Sequence, residues 1–530
     1  IMKRILLTLA CASAFSVAFS QVELDALKVS QTEIMGTARY TGVAGAFGAL
    51  GGDASAIKDN PAGLGVFRKS ELTATADILI QNVNSRWNGS TGYDDLFKYG
   101  FNNFSYVIAL PTWRSESGYE GLMSSNFAFS YNKIKNFNRS LAIRSNAAAS
   151  SMTDYMAQFT NRNYGYYTND LSSYYLNPDN YPMDGAKNPY ENIKIPWISI
   201  MAANSHLINE NIDTTTNKTM YWSPLLGDAE QVTPTYTLRE QGGVDEYNFG
   251  WSGNFSNRFY FGATLNMQSL YYRSDAIYSE SFGNGGNMSL NNTVIMNGTG
   301  FNLNVGTIFI PVDFIRFGLA MHTPMIYNLS MTNYADLYSS EGNTQKSPEN
   351  MVKYKQVSPF QLNASAAFLL DNRGFLSAEY VFSNYKGMRF KDEEGSSLAY
   401  PDENAGFSSM MNNARTIKVG AEYKVTENFA LRAGFANSSA ATRPDATKWF
   451  VPSTTRTDTE YFIHNRTDYF TAGLGYREAG WYIDLAYMNK SLNETFYAYN
   501  SAILAADYKV NPATVKTTNN NIVITLGLRF

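Results

Sequence analysis

Apolar and polar residues alternate one by one along much of this 530-residue chain. In residues 521–530 the even positions are Ile522, Ile524, Leu526, Leu528 and Phe530, while Thr525, Gly527 and Arg529 share the other side. A period of two puts each set on one face of a β-strand. The pattern recurs where Phe259, Phe261, Ala263, Leu265 and Met267 alternate with Tyr260, Gly262, Thr264 and Asn266. It recurs again where Ile417, Val419, Ala421 and Tyr423 alternate with Lys418, Gly420, Glu422 and Lys424, and where Phe470, Ala472, Leu474 and Tyr476 alternate with Thr471, Gly473 and Gly475. Such runs predict fourteen strands, near 70–84, 102–111, 124–136, 244–256, 258–281, 287–311, 313–333, 351–370, 373–390, 413–425, 429–438, 466–478, 480–494 and 519–530.

The spacing of these strands carries its own signal. Tight connections are expected at Ser256-Asn257, Pro311-Val312, 371–373, 426–428 and 478–480, and long ones at 85–101, 137–243, 334–350, 391–412, 439–465 and 495–518. Short and long alternate, apart from a Gly/Asn-rich tip at 282–286 and a moderately long turn at 112–123. Transmembrane barrels have short turns at one rim and longer loops at the other, and single-chain bacterial examples have an even strand count. No later stretch approaches the 18 consecutive apolar residues of a membrane helix. The predicted fold is therefore all-β: a transmembrane antiparallel β-barrel of about fourteen strands, apolar face to lipid and polar or small face inward. Composition agrees, with aromatics at 15% and charged residues at only 17%.

The first twenty residues read as a signal peptide. Lys3-Arg4 supply positive charge, an apolar run begins at Ile5, and Ala18-Phe19-Ser20 makes a cleavage site before Gln21. Cys11 is a poor lipidation site, because Thr8-Leu9-Ala10 lacks the usual Leu three residues before it. Cleavage leaves 530 − 20 = 510 residues with charge (42 − 2) − 46 = −6 and no cysteine, since Cys11 is the only one. Such a chain has no disulfide scaffold, zinc–cysteine site, iron–sulfur cluster or cysteine nucleophile. Mild acidity argues against nucleic acid as a partner, because phosphate binding needs a basic face. Export of a barrel places it in the outer membrane of a Gram-negative bacterium, where outer-membrane lipid and the barrel-assembly machinery are the expected partners; the terminal Phe530 is the assembly signal.

Two segments lie outside the predicted wall. Residues 21–69 are too short to hold a core of their own, and 37–65 are dense in Gly and Ala, suited to packing inside a pore. They form the expected plug, or hatch, ahead of a barrel spanning 70–530. Residues 137–243 form a long insertion, read as an extracellular cap over the mouth with a short helix at 152–160.

Little in the chain points to bond-making chemistry. His206, His322 and His464 are widely separated and form no metal pair. Asp392-Glu393-Glu394 reads as a solvated external loop, and Gly283-x-Gly285-Gly286 as a loop tip with no helix after it to hold a phosphate. No catalytic residue, metal or cofactor is expected, and the chain is not read as an enzyme. Asn60-Pro61 makes a turn that directs the chain into the first strand, because Pro fixes φ and Asn bonds back to the backbone. Arg432 reads as a lumen or rim charge with a carboxylate partner.

Three blocks resemble the FadL family of outer-membrane transporters for hydrophobic compounds. The first holds Gly45-Ala46, Asp53-Ala54-Ser55-Ala56 and Asn60-Pro61-Ala62-Gly63-Leu64; the second holds Leu431-Arg432-Ala433-Gly434-Phe435 and Ala472-Gly473-Leu474-Gly475-Tyr476; the third holds Phe317-Gly318 and Thr323-Pro324. The resemblance implies a fourteen-stranded barrel closed by an N-terminal hatch, with hydrophobic small-molecule ligands such as long-chain fatty acids moving passively along an apolar interior path. It makes Asn60, Pro61, Ala62 and Gly63 the gating segment, and Arg432 and Gly434 a wall motif. The alternative is a non-transporting barrel that serves secretion or surface assembly through the 137–243 insertion.

Overall fold

The computed structural model describes residues 23–112, 120–164, 188–191, 195–213, 218–225, 231–448, 450, 454–504 and 510–530. The signal-peptide reading lies outside them.

Fourteen strand positions close into one antiparallel barrel. They are β1 (Glu71–Trp87), β2 (Ser90–Pro111), β3 (Leu122–Asn136), β4 (Val232–Phe255), β5 (Phe259–Phe282), β6 (Asn287–Val312) and β7 (Ile315–His322, resuming as Ile326–Ser339). Then come β8 (Asn350–Val357, resuming as Gln361–Leu369), β9 (Gly374–Ser383, with Arg389–Lys391 beyond), β10 (Ala414–Lys424), β11 (Phe429–Ser439), β12 (Tyr461–Arg477), β13 (Trp481–Tyr497) and β14 (Ala513–Arg529). Each pairs with the next, and β1 pairs with β14 from Glu71↔Arg529 to Arg86↔Thr514, which closes the ring. Closure leaves no wall edge with unpaired backbone groups, the condition for crossing lipid with strands. Pro324 and Pro359 sit at the breaks in β7 and β8, where a ladder donor is missing.

The lower part of the wall shows the expected two faces. Leu265 is 55% and Leu474 43% exposed on the outside, whereas Lys418, Gly420 and Glu422 of β10 are buried within. At the C-terminus Ile524, Leu526, Leu528 and Phe530 all point outward, and the Phe530 amide donates to the Ser70 carbonyl at 3.1 Å beside the start of β1.

One long loop is instead strand: residues 85–101 continue β1 and β2 into a hairpin closed by Asn88-Gly89, both at positive φ. Residues 334–339 also extend β7, while 340–349 remain a connection that holds the short strand Gln345–Lys346. Likewise β4 begins at Val232, twelve residues before the expected start. The reason is height. Above the apolar belt the polarity inverts: Thr233 and Thr237 face outward while Val232, Tyr236 and Leu238 face the cap, so the outer face no longer reads as apolar although the pairing persists. The Ser256-Asn257 turn is as expected, with both residues at positive φ as a two-residue hairpin requires.

The insertion folds over and into the upper barrel. A short strand, Arg139–Arg144, pairs with β4, and then come a helix, Met152–Tyr164, a second, Trp197–Asn204, and a hairpin of Asn209–Asp213 with Lys218–Trp222. Met152, Met156, Ile198 and Leu207 pack against Trp87 and Phe496 in a closed apolar core. Glu280 on β5 takes the Met152 amide at 2.8 Å, which pins the first helix by its N-terminus to the wall.

Candidate functional site

Residues 37–67 fill the lower lumen as three short turns, each begun by a side-chain cap. The Thr37 hydroxyl accepts from the Tyr40 amide ahead of the turn Ala38–Gly42, and Asp53 accepts from the Ser55 amide ahead of Ala54–Lys58. Asn60 accepts from the Ala62 amide at 3.1 Å ahead of Pro61–Val66, with Pro61 at the first helical position. Asn60 also faces the other way: its Nδ2 donates to the Gly48 carbonyl at 2.6 Å and to the Thr307 carbonyl of β6 at 3.1 Å. One side chain thus caps the last turn, ties it to the middle of the hatch and ties both to the wall. Ala62 is fully buried against Tyr260, Ile308 and Ile310, and Gly63 lies so close to Gly51 that a Cβ on either would collide with the other.

The wall receives this backbone at glycines. A Cβ at Gly262 would come within 2.4 Å of the Pro61 carbonyl oxygen, at Gly306 within 2.0 Å of Asn60 Oδ1, and at Gly318 within 2.4 Å of the Gly48 carbonyl oxygen. Gly420 and Gly434 face Val43 in the same way, at 2.5 Å. The small inward positions of the alternating strands are therefore the seat of the hatch. Gly434, singled out through the resemblance, is one of a group, and the others went unassigned in the sequence because an inward glycine looks the same whether it faces solvent or a plug.

Ion pairs complete the seat. Arg39 of the hatch makes a bidentate pair with Glu422 at 2.8 and 2.9 Å. Glu422 also accepts from Arg432 at 2.7 Å, and Arg432 reaches Asp484 at 2.6 Å, so Arg432 is a lumen charge shared by two carboxylates. Asp59 lies 3.5 Å from Lys418 and accepts from the Tyr40 hydroxyl at 2.5 Å. Burial pushes the Asp59 carboxyl up, but Lys418 and Lys58 beside it hold it well below the usual range. The His322 ring Nε2 lies 2.8 Å from the Asp59 carbonyl oxygen, and His464 pairs with Glu494 at 3.0 Å; these contacts tie His322 to the hatch and His464 to the wall. Asparagines form a second tie, running amide to amide from Asn103 through Asn132, Asn248, Asn266 and Asn302 to Asn304, which donates to the Lys58 carbonyl. The seat of the hatch is thus polar and hydrogen-bonded over much of its surface, with apolar patches where Phe47 meets Phe375 and Leu64 meets Val107.

An apolar chamber does exist, but higher and already filled. The eight-residue helix Glu23–Ser30 precedes the hatch and lies across the upper lumen. Its Ala26, Leu27 and Val29 pack among Met296, Met331, Met388, Phe390 and Phe407. Asp25 pairs with Arg456 at 2.8 Å and Lys28 with Glu240 at 2.6 Å. Glu33, between helix and hatch, shares one oxygen with Lys490 at 2.7 Å and Lys135 at 3.1 Å. Burial pushes its carboxyl up, yet the two ammonium groups bring it down to about 2. Among the described residues Glu23 has no such cation beside it; burial, reinforced by Glu403 and Asp25, pushes it up to about 8.

No family model matches the chain, and no curated protein matches it in sequence. Solved structures do. A FadL homologue from Pseudomonas aeruginosa is similar at 14% identity, covering 94% of this chain and 98% of that one, with a TM-score of 0.51. The toluene transporter TodX of P. putida is similar at 10% identity, covering 95% and 99%, with a TM-score of 0.50. The chain has the fold of these transporters along nearly its whole length.

Proposed function

We propose that this protein is a plugged outer-membrane channel of the FadL type, which takes up small hydrophobic molecules passively and opens by moving its N-terminal hatch. The observation that carries the reading is the seat itself. The hatch is held by hydrogen bonds, ion pairs, close glycine contacts and small apolar clusters, Phe47 against Phe375 and Leu64 against Val107 among them, but it joins no strand of the wall, so it can leave while the wall stays paired. Apolar substrate has a matching chamber among the methionines and aromatic rings above. Unbranched methionine side chains adapt to differently shaped guests. Long-chain fatty acids and monocyclic aromatics are the first candidates, the second because TodX is described as a toluene transporter.

The test is uptake of labelled toluene and of labelled oleate by cells with and without the protein, at matched outer-membrane levels. Faster uptake of either with the protein, and faster still when Gly434→Ala unseats the hatch, supports the channel. The packed lumen and the closed core of the cap favour a second reading, in which the cap docks a protein partner of a secretion or surface-assembly system. Unchanged uptake together with a stable co-purifying partner selects it.

A further inference from the structure

Side chains that point outward from a barrel wall report what surrounds the molecule. On the upper rim many are Asn, Ser and Thr, as in Ser289, Asn291 and Thr293 of β6 and Thr233 and Thr237 of β4. Two exposed cations of that rim are matched on the spot, Arg273 by Asp275 at 2.8 Å and Arg466 by Asp468 at 2.9 Å.

One sector differs. In β8 Val352, Tyr354 and Gln356 turn inward, which puts Lys353 and Lys355 outside. In β9 Phe390 turns inward, which puts Arg389 and Lys391 outside. The turn Tyr385–Gly387 buries Tyr385 and exposes Lys386, and Arg415 carries the row on to β10. Among the described residues none of these cations forms an ion pair with a carboxylate. Lys355 donates instead to the Glu393 carbonyl, and Arg389 to the Lys386 and Met388 carbonyls at 3.0 and 2.6 Å. Asp392, next along the chain, is used in its own turn, where it takes the Ser396 amide at 2.7 Å, and Glu393 and Glu394 stand exposed at the tip.

The register makes this arrangement costly. Lys355 lies directly opposite Lys391. Residues so placed in an antiparallel pair have Cβ atoms about 4.5–5.5 Å apart, where like charges destabilise the sheet. An anion bridging the two ammonium groups removes that cost. Immediately below, the same strands turn apolar outward: Val357 stands opposite Arg389 and Ile326, and Leu362 opposite Phe382. Ile326 is 52% and Leu362 38% exposed. A row of cations above an apolar wall complements a molecule with phosphate at its head and acyl chains beneath, since phosphate takes charge-assisted hydrogen bonds from both Lys and Arg.

We propose that the outer face of β8 and β9 binds the phosphorylated head group of lipopolysaccharide, with Lys353, Lys355, Arg389 and Lys391 on its phosphates and Ile326, Val357 and Leu362 against its acyl chains. The inference goes beyond the channel reading and needs no movement of the hatch. It requires only that the barrel stand in an outer membrane with the cap outermost, because lipopolysaccharide forms the outer leaflet.

The probe is lipopolysaccharide trimmed to lipid A and its inner Kdo sugars, titrated onto the mature protein in detergent and read by native mass spectrometry. The triple variant Lys353→Gln, Lys355→Gln, Lys391→Gln should bind it at least about tenfold more weakly, each lysine near a charged lipid surface counting for a factor of about five. Its binding should also depend less on salt. Arg239→Gln, an outward cation on β4, should leave the affinity unchanged. Inorganic pyrophosphate, which has no acyl chains, and phosphatidylglycerol, which has a single phosphate, should both bind more weakly than the glycolipid. Stability gives a separate readout. Without glycolipid, Lys391→Gln removes the repulsion from Lys355 and should raise the thermal midpoint; adding glycolipid should then raise it less than in the wild type. The proposal is overturned if the triple variant binds as tightly as the wild type, if Arg239→Gln weakens binding equally, or if either simpler phosphate binds as tightly. A lower midpoint for Lys391→Gln without glycolipid also overturns it. Uptake of toluene and oleate tests the channel separately, so each reading can fail while the other stands.

Discussion

Asn60→Ala separates the hatch from the wall more cleanly than any other single change. The side chain is buried, and its loss removes three hydrogen bonds at once. Losing an Asn cap costs about 1 kcal/mol. Leaving the Gly48 carbonyl without this donor costs about a further 1–3 kcal/mol. Ala also removes the oxygen that Gly306 was shaped to face. The hatch should therefore open more easily by about 2–4 kcal/mol, which at about 1.4 kcal/mol per factor of ten is about 30- to 1,000-fold more often. The wall strands lose that one donor to the Thr307 carbonyl but no ladder pairing, since Thr307 keeps its place in the ladders of β5, β6 and β7. Amide hydrogen exchange in lipid nanodiscs is the assay, because it reads local opening residue by residue. Peptides from 37–67 should lose protection by that factor, those from β5 should keep theirs, and the barrel should still migrate as a folded species in unheated detergent gels. Unchanged hatch protection refutes the bracing role, and equal loss in hatch and wall refutes the idea that the two are separable units.

Depth on the outer face gives a second expectation: Leu265→Lys should destabilise by about 2–4 kcal/mol if it lies near the bilayer midplane, whereas Thr237→Lys, outward on β4 above the belt, should cost under about 1 kcal/mol, both read by urea titration in vesicles. Arg432→Ala should cost about 3–5 kcal/mol in the same assay, because Asp484 is left as a buried charge with its nearest cation, Arg477, 3.9 Å away. Glu23 makes docking of its helix pH-dependent. Its carboxyl titrates near 8 when docked and near 4.5 when free, so the docked state holds more protons between these values, and docking weakens as pH rises through that window. Exchange protection of 23–30, corrected for the intrinsic pH effect, should therefore fall from pH 5 to pH 8, and Glu23→Gln should flatten the profile.

Strand number and wall register were legible in the sequence because lipid enforces them. Each residue of β5 from Phe259 to Met267 has lipid on one side and protein on the other, and a one-residue slip would turn Asn266 outward. Where lipid ends, so does the enforcement. The tops of β1, β4 and β6 stand beyond the apolar belt with polar residues outside and apolar ones against the cap, so the apolar outer face that marks a wall strand is missing there. The helix at 152–160 was visible because its apolar face meets a core, and its backbone continues to Tyr164.

The seat of the hatch obeys different physics, and this explains which of its residues stood out. Asn60 and Pro61 were readable since capping is local: the residues that make the turn are neighbours in sequence. Arg432 was readable as a charge on an inward face that had to find a carboxylate, but its partners Glu422 and Asp484 come from two other strands, which only the closed barrel identifies. The wall glycines carry the least local information of all. Gly262, Gly306, Gly318, Gly420 and Gly434 lie on five strands and meet 43–61 only after β1 has paired with β14. The helix Glu23–Ser30 was hidden for a related reason. Eight residues with four charges or hydroxyls make a weak amphipathic signal, and its stability comes from Arg456, Glu240 and Gln356, more than 200 residues away. An element stabilised by side chains so far away in sequence leaves no local signal, because none of the partners that hold it is its neighbour along the chain.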